Sequence, residues 1–324
     1  MLSDRGIRQA MKDGSLVIEP FDEKFLGPCS YDLEIKRIYR VEKPNKPFLT
    51  EDDIDDSPME RFLETDCEAY DGLLLPGKSY IGASRERIWA RQHPGVTTRS
   101  GPARLGIETW PVNIAEIYAE PTCVYFSIRT YDTVCEVPEG RRLSQIFFDQ
   151  GLPLFPSEIE PLILQGRLGV NGRPVFEGCR GIRLGIGRTI RRYNGKVLAL
   201  DGRNDECFDD EEIRGTYRFR PGGFYLCHTD ELVSMPDDHA GMLVKAKGIR
   251  LRGNVHPNAP LIAPGSEGHQ ILEMNFPAGL EIRKGDHVCS MEIMPLDQNP
   301  QNAYNGKYKG QRGPQTSLFH TEGA

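Results

Sequence analysis

Two short stretches hold the side chains best suited to chemistry: residues 99–106 read RSGPARLG and residues 271–276 read ILEMNF. In the second, Glu273 stands between Leu272 and Met274. Burial in an apolar strand disfavours an ionised carboxylate and raises its pKa toward neutrality, where one group can take a proton and later return it. An outward-facing glutamate on an alternating strand is the other reading this pattern leaves open. In the first stretch, Arg99 offers a cation with planar donors suited to phosphate, and Gly101 lets backbone N–H groups approach an anion closely. The Ser100 hydroxyl can donate to phosphate or to an attacking water, and Arg104 can orient a substrate and the glutamate. Ordinary loop residues around a Gly-Pro turn are the plain alternative. A third stretch, residues 301–317, sets Tyr304, Lys307, Lys309, Gln311 and Arg312 among glycines. It has little to pack by itself and either frays or orders over a polyphosphate, with Lys307 and Arg312 meeting charge and Tyr304 stacking.

Strands must position these groups. YIGASRERIWA, TCVYFSIRTY, GFYLCHTDELVSM and HQILEMNF are short runs rich in β-branched and aromatic residues, bounded by Pro-Gly, Glu-Gly or Lys-Gly turn signals. They belong to a repeat. LLLPGKSYIGA lies on RFRPGGFYLCH with Pro76-Gly77 against Pro221-Gly222, an offset of 145. GVTTRSGPARLG lies on GMLVKAKGIRLR, setting Arg104 against Arg250, and VPEGRRLSQIFF lies on IRKGDHVCSMEI with Gly140 against Gly285. Three anchors at nearly one spacing predict two similar β barrels or sandwiches in tandem. The reading is mainly β with a few short helices: a first copy over residues 1–155, a second over 156–300 and a tail over 301–324. One helix is predicted over SDRGIRQAMKDG, with Ser3 as cap, Ile7 and Met11 on one face and Gly14 at its end. Residues 151–175 read as the linker and the entry into the second copy, and 201–212, DGRNDECFDDEE, as an acidic surface loop.

Composition narrows the function. The chain has 324 residues, too long for one ordinary core. Its 34 Gly and 24 Pro favour turns and short strands over long helices. With 40 basic against 47 acidic residues, the net charge of −7 argues against a general nucleic-acid binder, while a local basic pocket remains allowed. The opening MLSDRGIRQAMKDG lacks the apolar core of a signal peptide, and no later run approaches a membrane span, so a cytoplasmic protein without membrane contact is expected. Eight cysteines without a C-x-x-C pair suit free thiols in a reducing compartment rather than disulfides or structural zinc.

MLSDRGIRQAMKDGSLVIEPF, RSGPARLG, the PG-x-x-Y-x hairpins, ILEMNF and YNGKYKGQRGPQTS together resemble the dCTP deaminases, which share the trimeric dUTPase fold. The resemblance covers most of both copies and is loosest over residues 37–70 and 177–215. It implies two tandem dUTPase-like β-barrel or jelly-roll copies, and Glu273 in the place of the family's catalytic glutamate. It also implies Lys307 and Gln311 facing the nucleotide, a triphosphate carrying Mg²⁺ without a protein cage, and a homo-oligomer. Deaminating cytosine requires water at C4, a proton moved to the ring and then to departing ammonia, and a group to hold charge; one carboxyl can shuttle those protons. The alternative zinc route uses H-x-E with a later P-C-x-x-C, and that combination is not present: the sequence has no P-C-x-x-C to accompany the H-x-E at His320-Thr321-Glu322, and His228-Thr229-Asp230-Glu231 has the wrong order.

Each copy lacks what the other keeps. Twenty-three residues after Arg250 stands Glu273, whereas the same count from Arg104 reaches Ser127, beside Phe126. RSG of copy one falls on Lys245-Ala246-Lys247, which has no hydroxyl. In the family, the R-S-x motif and the glutamate come from neighbouring subunits. The expectation is therefore one site per chain, with Glu273, Ser100 and Arg104 catalytic and Arg99, Gly101, Arg250, His256, Tyr304, Lys307, Gln311 and Arg312 binding. This division resembles that of the duplicated single-chain herpesvirus dUTPases. Whether the copies meet within a chain or across an oligomer stays open. Where the family reads I-D-P-G this chain has Ile262-Ala263-Pro264-Gly265, which leaves the base pocket unsettled and removes a candidate for activating water at the α-phosphate. The rivals to dCTP deamination are dUTP hydrolysis, alone or after deamination, and a non-catalytic nucleotide-binding regulator.

Overall fold

The computed structural model describes residues 1–41, 63, 67–149, 151–178, 181–246, 254–256 and 258–321, with backbone alone at 254–256. Alternation builds the first half. Along Thr122–Thr130 the side chains of Val124, Phe126 and Ile128 are fully buried, while Tyr125, Ser127 and Arg129 between and beyond them are more exposed. The strand pairs antiparallel with Tyr80–Ala90, and that strand pairs with Tyr31–Val41. Arg142–Asp149 and His93–Thr98 extend one side and Ile107–Pro111 the other, giving an eight-stranded sheet that includes Leu16–Glu19 and Cys67–Ala69. The second half holds a six-stranded sheet, with Phe224–Ser234 and Glu267–Asn275 at its centre, and a five-stranded sheet around His287–Pro295. The molecule is mainly β, with a nearly closed barrel.

The helix over Asp4–Lys12 starts as predicted: the Ser3 hydroxyl accepts the Gly6 N–H at 3.1 Å, and Ile7 is fully buried. Gly14 follows it at φ +74, a conformation only glycine adopts cheaply. A second helix, Pro156–Leu164, occupies what the sequence suggested was linker. Pro156 opens it, Glu158 accepts the Phe155 N–H, and Ile159 and Leu162 anchor it on the core of the second half. The acidic stretch 201–212 differs from expectation too. Its Phe208–Glu212 is a strand paired with Thr189–Tyr193, where Arg191 meets Asp205 and Asp210, and Arg192 meets Asp209 and Glu211. The three cross-strand pairs, and the pair from Arg191 to Asp205 just before the strand, stabilise a sequence that composition alone assigns to loop.

The halves repeat in detail that the sequence alignment missed. Both long central strands carry a bulge at the same place. The Ser84 hydroxyl donates to the Glu86 carbonyl at 2.6 Å, and the Thr229 hydroxyl donates to the Glu231 carbonyl at 2.7 Å. Behind them, the buried Glu86 carboxyl accepts the Glu34 N–H, and Glu231 accepts the Gly185 N–H. The ladders also correct one match. Ser144 pairs with Thr98, and its counterpart Cys289 pairs with Lys245, so Arg99 falls on Ala246 rather than on Lys245. Opposite Ile81 stands Ser127, as Glu273 stands opposite Leu226, so the first half holds a serine where the second holds the carboxyl.

The halves share their interior. Tyr193, Leu198, Phe208, Leu226 and Ile271 of the second half join the core of the first. Leu198–Ala199 runs parallel to Cys135–Glu136, and Met1 and Cys29 pack with Ala240 and Met294. This apolar seam fixes the relative placement of RSGPARLG and ILEMNF.

Candidate active site

Glu273 sits in the middle of Glu267–Asn275, where the strand is buried on both faces. Its side chain is 2% exposed, and burial pushes its carboxyl up to about 7, against the opposing pull of Arg104 and of the Asn258 N–H. That N–H donates to Oε2 at 3.1 Å. The outward-facing alternative is thus excluded by geometry.

Arg104 follows the short helix Ser100–Ala103, and Gly106 at φ +78 turns the chain into the strand Ile107–Pro111. The guanidinium is buried beneath the tail. It donates from Nη2 to Gln311 Oε1 at 2.8 Å and from Nη1 to the Gln315 carbonyl at 2.9 Å, and it lies 3.7 Å from the Tyr308 ring centroid. Burial lowers its pKa while Tyr308, Glu273 and Tyr304 raise it. Its Nε has no partner among the described residues, nor does the Ser266 hydroxyl. Both are donors available to a ligand.

One cavity of about 130 Å³ is lined by Ser100 and Arg104 of the first half, Glu273 and Ser266 of the second, and Tyr304 and Gln311 of the tail. A wider depression opens beside it, sharing Ser100 and Tyr304 and adding Arg99, Gly101 and Lys307. The structure therefore assembles the two motifs within one chain. In the depression Arg99 pairs with Asp32 at 2.9 Å, donates to the Arg142 carbonyl, and lies 5.5 Å from the Phe319 ring. Lys307 donates to the Leu318 carbonyl at 2.9 Å. A Cβ at Gly101 would lie 3.0 Å from the Phe319 ring, so this glycine also makes room for the tail.

The tail is laid down as a strap. Gln311 Nε2 donates to the His269 carbonyl, the His269 N–H donates to the Gln311 carbonyl, and the Gly313 N–H donates to His269 Nδ1 at 2.8 Å. The last bond needs an unprotonated Nδ1, and His269 is pulled down to about 4 by burial and by neighbouring His228 and Arg312. Gly268, at φ +130, lets the strap close in, because a Cβ there would lie 2.7 Å from the Gln311 carbonyl oxygen.

Of the predicted residues, Arg312 stands apart. It is exposed, 3.8 Å from Glu267, and faces a different depression beside Thr189 and Arg214. Arg250 lies outside the described residues, and His256 is described only as backbone paired opposite Glu273. Sequence reasoning missed Asn258, Tyr308, and the Ser30–Gln145 hydrogen bond of 2.9 Å on the cavity wall. Among the described residues no three His, Cys, Asp or Glu side chains cluster so as to hold a metal ion, and no helix is long and apolar enough to cross a membrane.

A family model described as dCTP deaminase-like matches residues 1–151 and again 157–296. A dCTP deaminase, dUMP-forming, of Leifsonia xyli subsp. xyli (strain CTCB07) is 37% identical over 176 residues, covering 49% of this chain and 87% of that protein. One of Aquifex aeolicus (strain VF5) is 27% identical over 168 residues, covering 51% of this chain and 93% of that protein. Each relative thus corresponds in length to about one half. Among solved structures, 2′-deoxycytidine 5′-triphosphate deaminase from Agrobacterium tumefaciens matches with a TM-score of 0.77 over 92% of this chain and 96% of that chain, at 22% identity. That likeness concerns the fold and runs through both halves.

Proposed function

The chain belongs to the dCTP deaminase-like family, and from that premise we propose that it hydrolyses dCTP to dUTP and ammonia by zinc-independent acid–base chemistry at a site shared by its two halves. The carrying observation is the convergence of Ser100, Arg104 and Glu273 on one cavity, beside a depression holding Arg99 and Lys307. The triphosphate, with its Mg²⁺, lies against Arg99, the Gly101 backbone and Lys307, and the cytosine enters the cavity. Glu273 as carboxylate takes a proton from water while the oxygen attacks C4, and the proton passes to N3. The same carboxyl then delivers the second water proton to the amino group, the C4–N bond breaks, and ammonia leaves with uracil formed. Ser100 orients the water, and Arg104, held by Gln311 and Tyr308, balances the charge on the carboxylate. Support for a route without zinc is the lack of H-x-E with P-C-x-x-C.

A second reading, deamination followed by loss of pyrophosphate, is favoured by the dUMP-forming relatives. Against it, Ala263 lines both parts of the site and offers no carboxyl to activate a second water. The proposal further places the protein in the cytoplasm as a homo-oligomer, and the exposed Trp110, Val112 and Tyr118 support a covered face. Incubation with dCTP and Mg²⁺, following ammonia, uracil nucleotides and pyrophosphate, tests the reading. Ammonia without pyrophosphate is expected from the native protein, and from Glu273→Gln only a residual rate that excess enzyme reveals. Pyrophosphate in step with ammonia would establish the second reading, and full activity in the variant would remove Glu273 from the chemistry.

A further inference from the structure

The carboxyl of Glu273 is gripped from one side by a residue that belongs to its own half but is held by the other. Asn258 is 4% exposed. Its backbone N–H donates to Glu273 Oε2 at 3.1 Å. Each of its other polar atoms is engaged by the first half: its carbonyl accepts from the Thr97 hydroxyl at 3.3 Å, its side-chain Oδ1 accepts from the Tyr131 hydroxyl at 3.2 Å, and its Nδ2 donates to the Ile107 carbonyl at 3.4 Å. We infer that Asn258 is a positioning residue that transmits the docking of the two halves to the Glu273 carboxyl, so that the acid–base group is aligned only when the halves are seated.

This inference rests on the acid–base reading of Glu273. Physically, the three contacts fix Asn258 on the first half, and the fixed N–H then holds one oxygen of a carboxylate whose side chain lines the cavity. Such supporting bonds matter because a carboxyl displaced by a fraction of an ångström loses its line to the water and to N3. A hydrogen bond from a buried N–H also favours the ionised form, offsetting part of the effect of burial. The other titratable groups acting on this carboxyl are Arg104, Tyr131 and Cys227. Tyr131 in turn lies beside Arg129, which pairs with the buried Glu108, so the grip continues into the first half.

The test is a double-mutant cycle on the full chain. Asn258→Ala should lower kcat with dCTP by about 10- to 100-fold, as expected for misplacement of a reacting group, while KM and the dissociation constant for dCTP stay within about threefold. The pH at which kcat falls on the acidic side should move upward, and Asn258→Ser, small enough to keep the backbone path, should recover part of the rate. In the Glu273→Gln background the same substitution should change nothing further, because its effect runs through the carboxyl. Tyr131→Phe, which removes one bond without opening a cavity, should give a smaller loss of the same kind and serves if Asn258→Ala does not fold. Losses that add to that of Glu273→Gln, or a rise in KM with kcat unchanged, overturn the inference. Full activity of Glu273→Gln alone would instead defeat the reading on which it rests.

Discussion

Replacing Glu273 by Gln should make the protein more stable as it removes nearly all of its activity, and the gain should depend on pH in a calculable way. The carboxyl is buried, and its pKa rises from 4.5 to about 7 on folding. At 1.36 kcal/mol per unit, the folded state is penalised by about 3 kcal/mol once the group is ionised in both states. A raised folded pKa means that the favourable contribution is complete below 4.5 and is lost as pH climbs through the window from 4.5 to about 7. A glutamine cannot ionise, yet its carbonyl can still accept the Asn258 N–H. Urea unfolding of both proteins at pH 5 and pH 8 reads the difference. The variant should lead by about 3 kcal/mol at pH 8 and by much less at pH 5. A lead that is the same at both pH values, or a variant weaker at pH 8, would show that Glu273 folds without the burial penalty and would undo its assignment as a near-neutral acid–base group.

Other expectations follow from single contacts. Gly268→Ala sets a Cβ against the Gln311 carbonyl; displacing the strap should raise KM for dCTP about tenfold while the melting temperature falls only slightly, since the site loses closure rather than core. Arg99→Ala removes a phosphate partner together with its ion pair to Asp32, so KM should rise tenfold or more, roughly, with kcat little changed in steady-state assays. Phe208→Ala hollows the seam between the halves and should cost about 3–5 kcal/mol in urea unfolding. Glu86→Gln should stabilise by about 1–3 kcal/mol at pH 8 and not below pH 4.5, because burial lifts that carboxyl from 4.5 to about 7 and its penalty appears only as pH rises through that window.

The features that were legible in the sequence are those written in local chemistry. Ser3 and Gly14 announce the ends of the first helix, and the Pro-Gly and Lys-Gly turns mark the repeat, because caps and positive-φ glycines act through their nearest neighbours. The pairing of RSGPARLG with ILEMNF was legible through what each copy lacks. The placement of Arg99 against Lys245 failed by one residue because turn signals do not fix a ladder; the strand register, with Lys245 opposite Cys289 and the Ala246 N–H bonded to the Val288 carbonyl, does. The acidic strand Phe208–Glu212 was hidden because its partners, Arg191 and Arg192, stand on another strand. Asn258 was invisible for the same reason: its contacts to the first half are made more than a hundred residues away. Arg312 shares the composition of its neighbours, and only the path of the strap turns it outward.

A crystal structure of the Glu273→Gln variant with dCTP and Mg²⁺ puts the composite site to the most direct trial. One nucleotide per chain is expected, with its cytosine between Ser100 and the side chain at position 273 and its phosphates on Arg99 and Lys307. A nucleotide bound elsewhere, or one touching Ser100 while position 273 stays remote from it, would contradict the account.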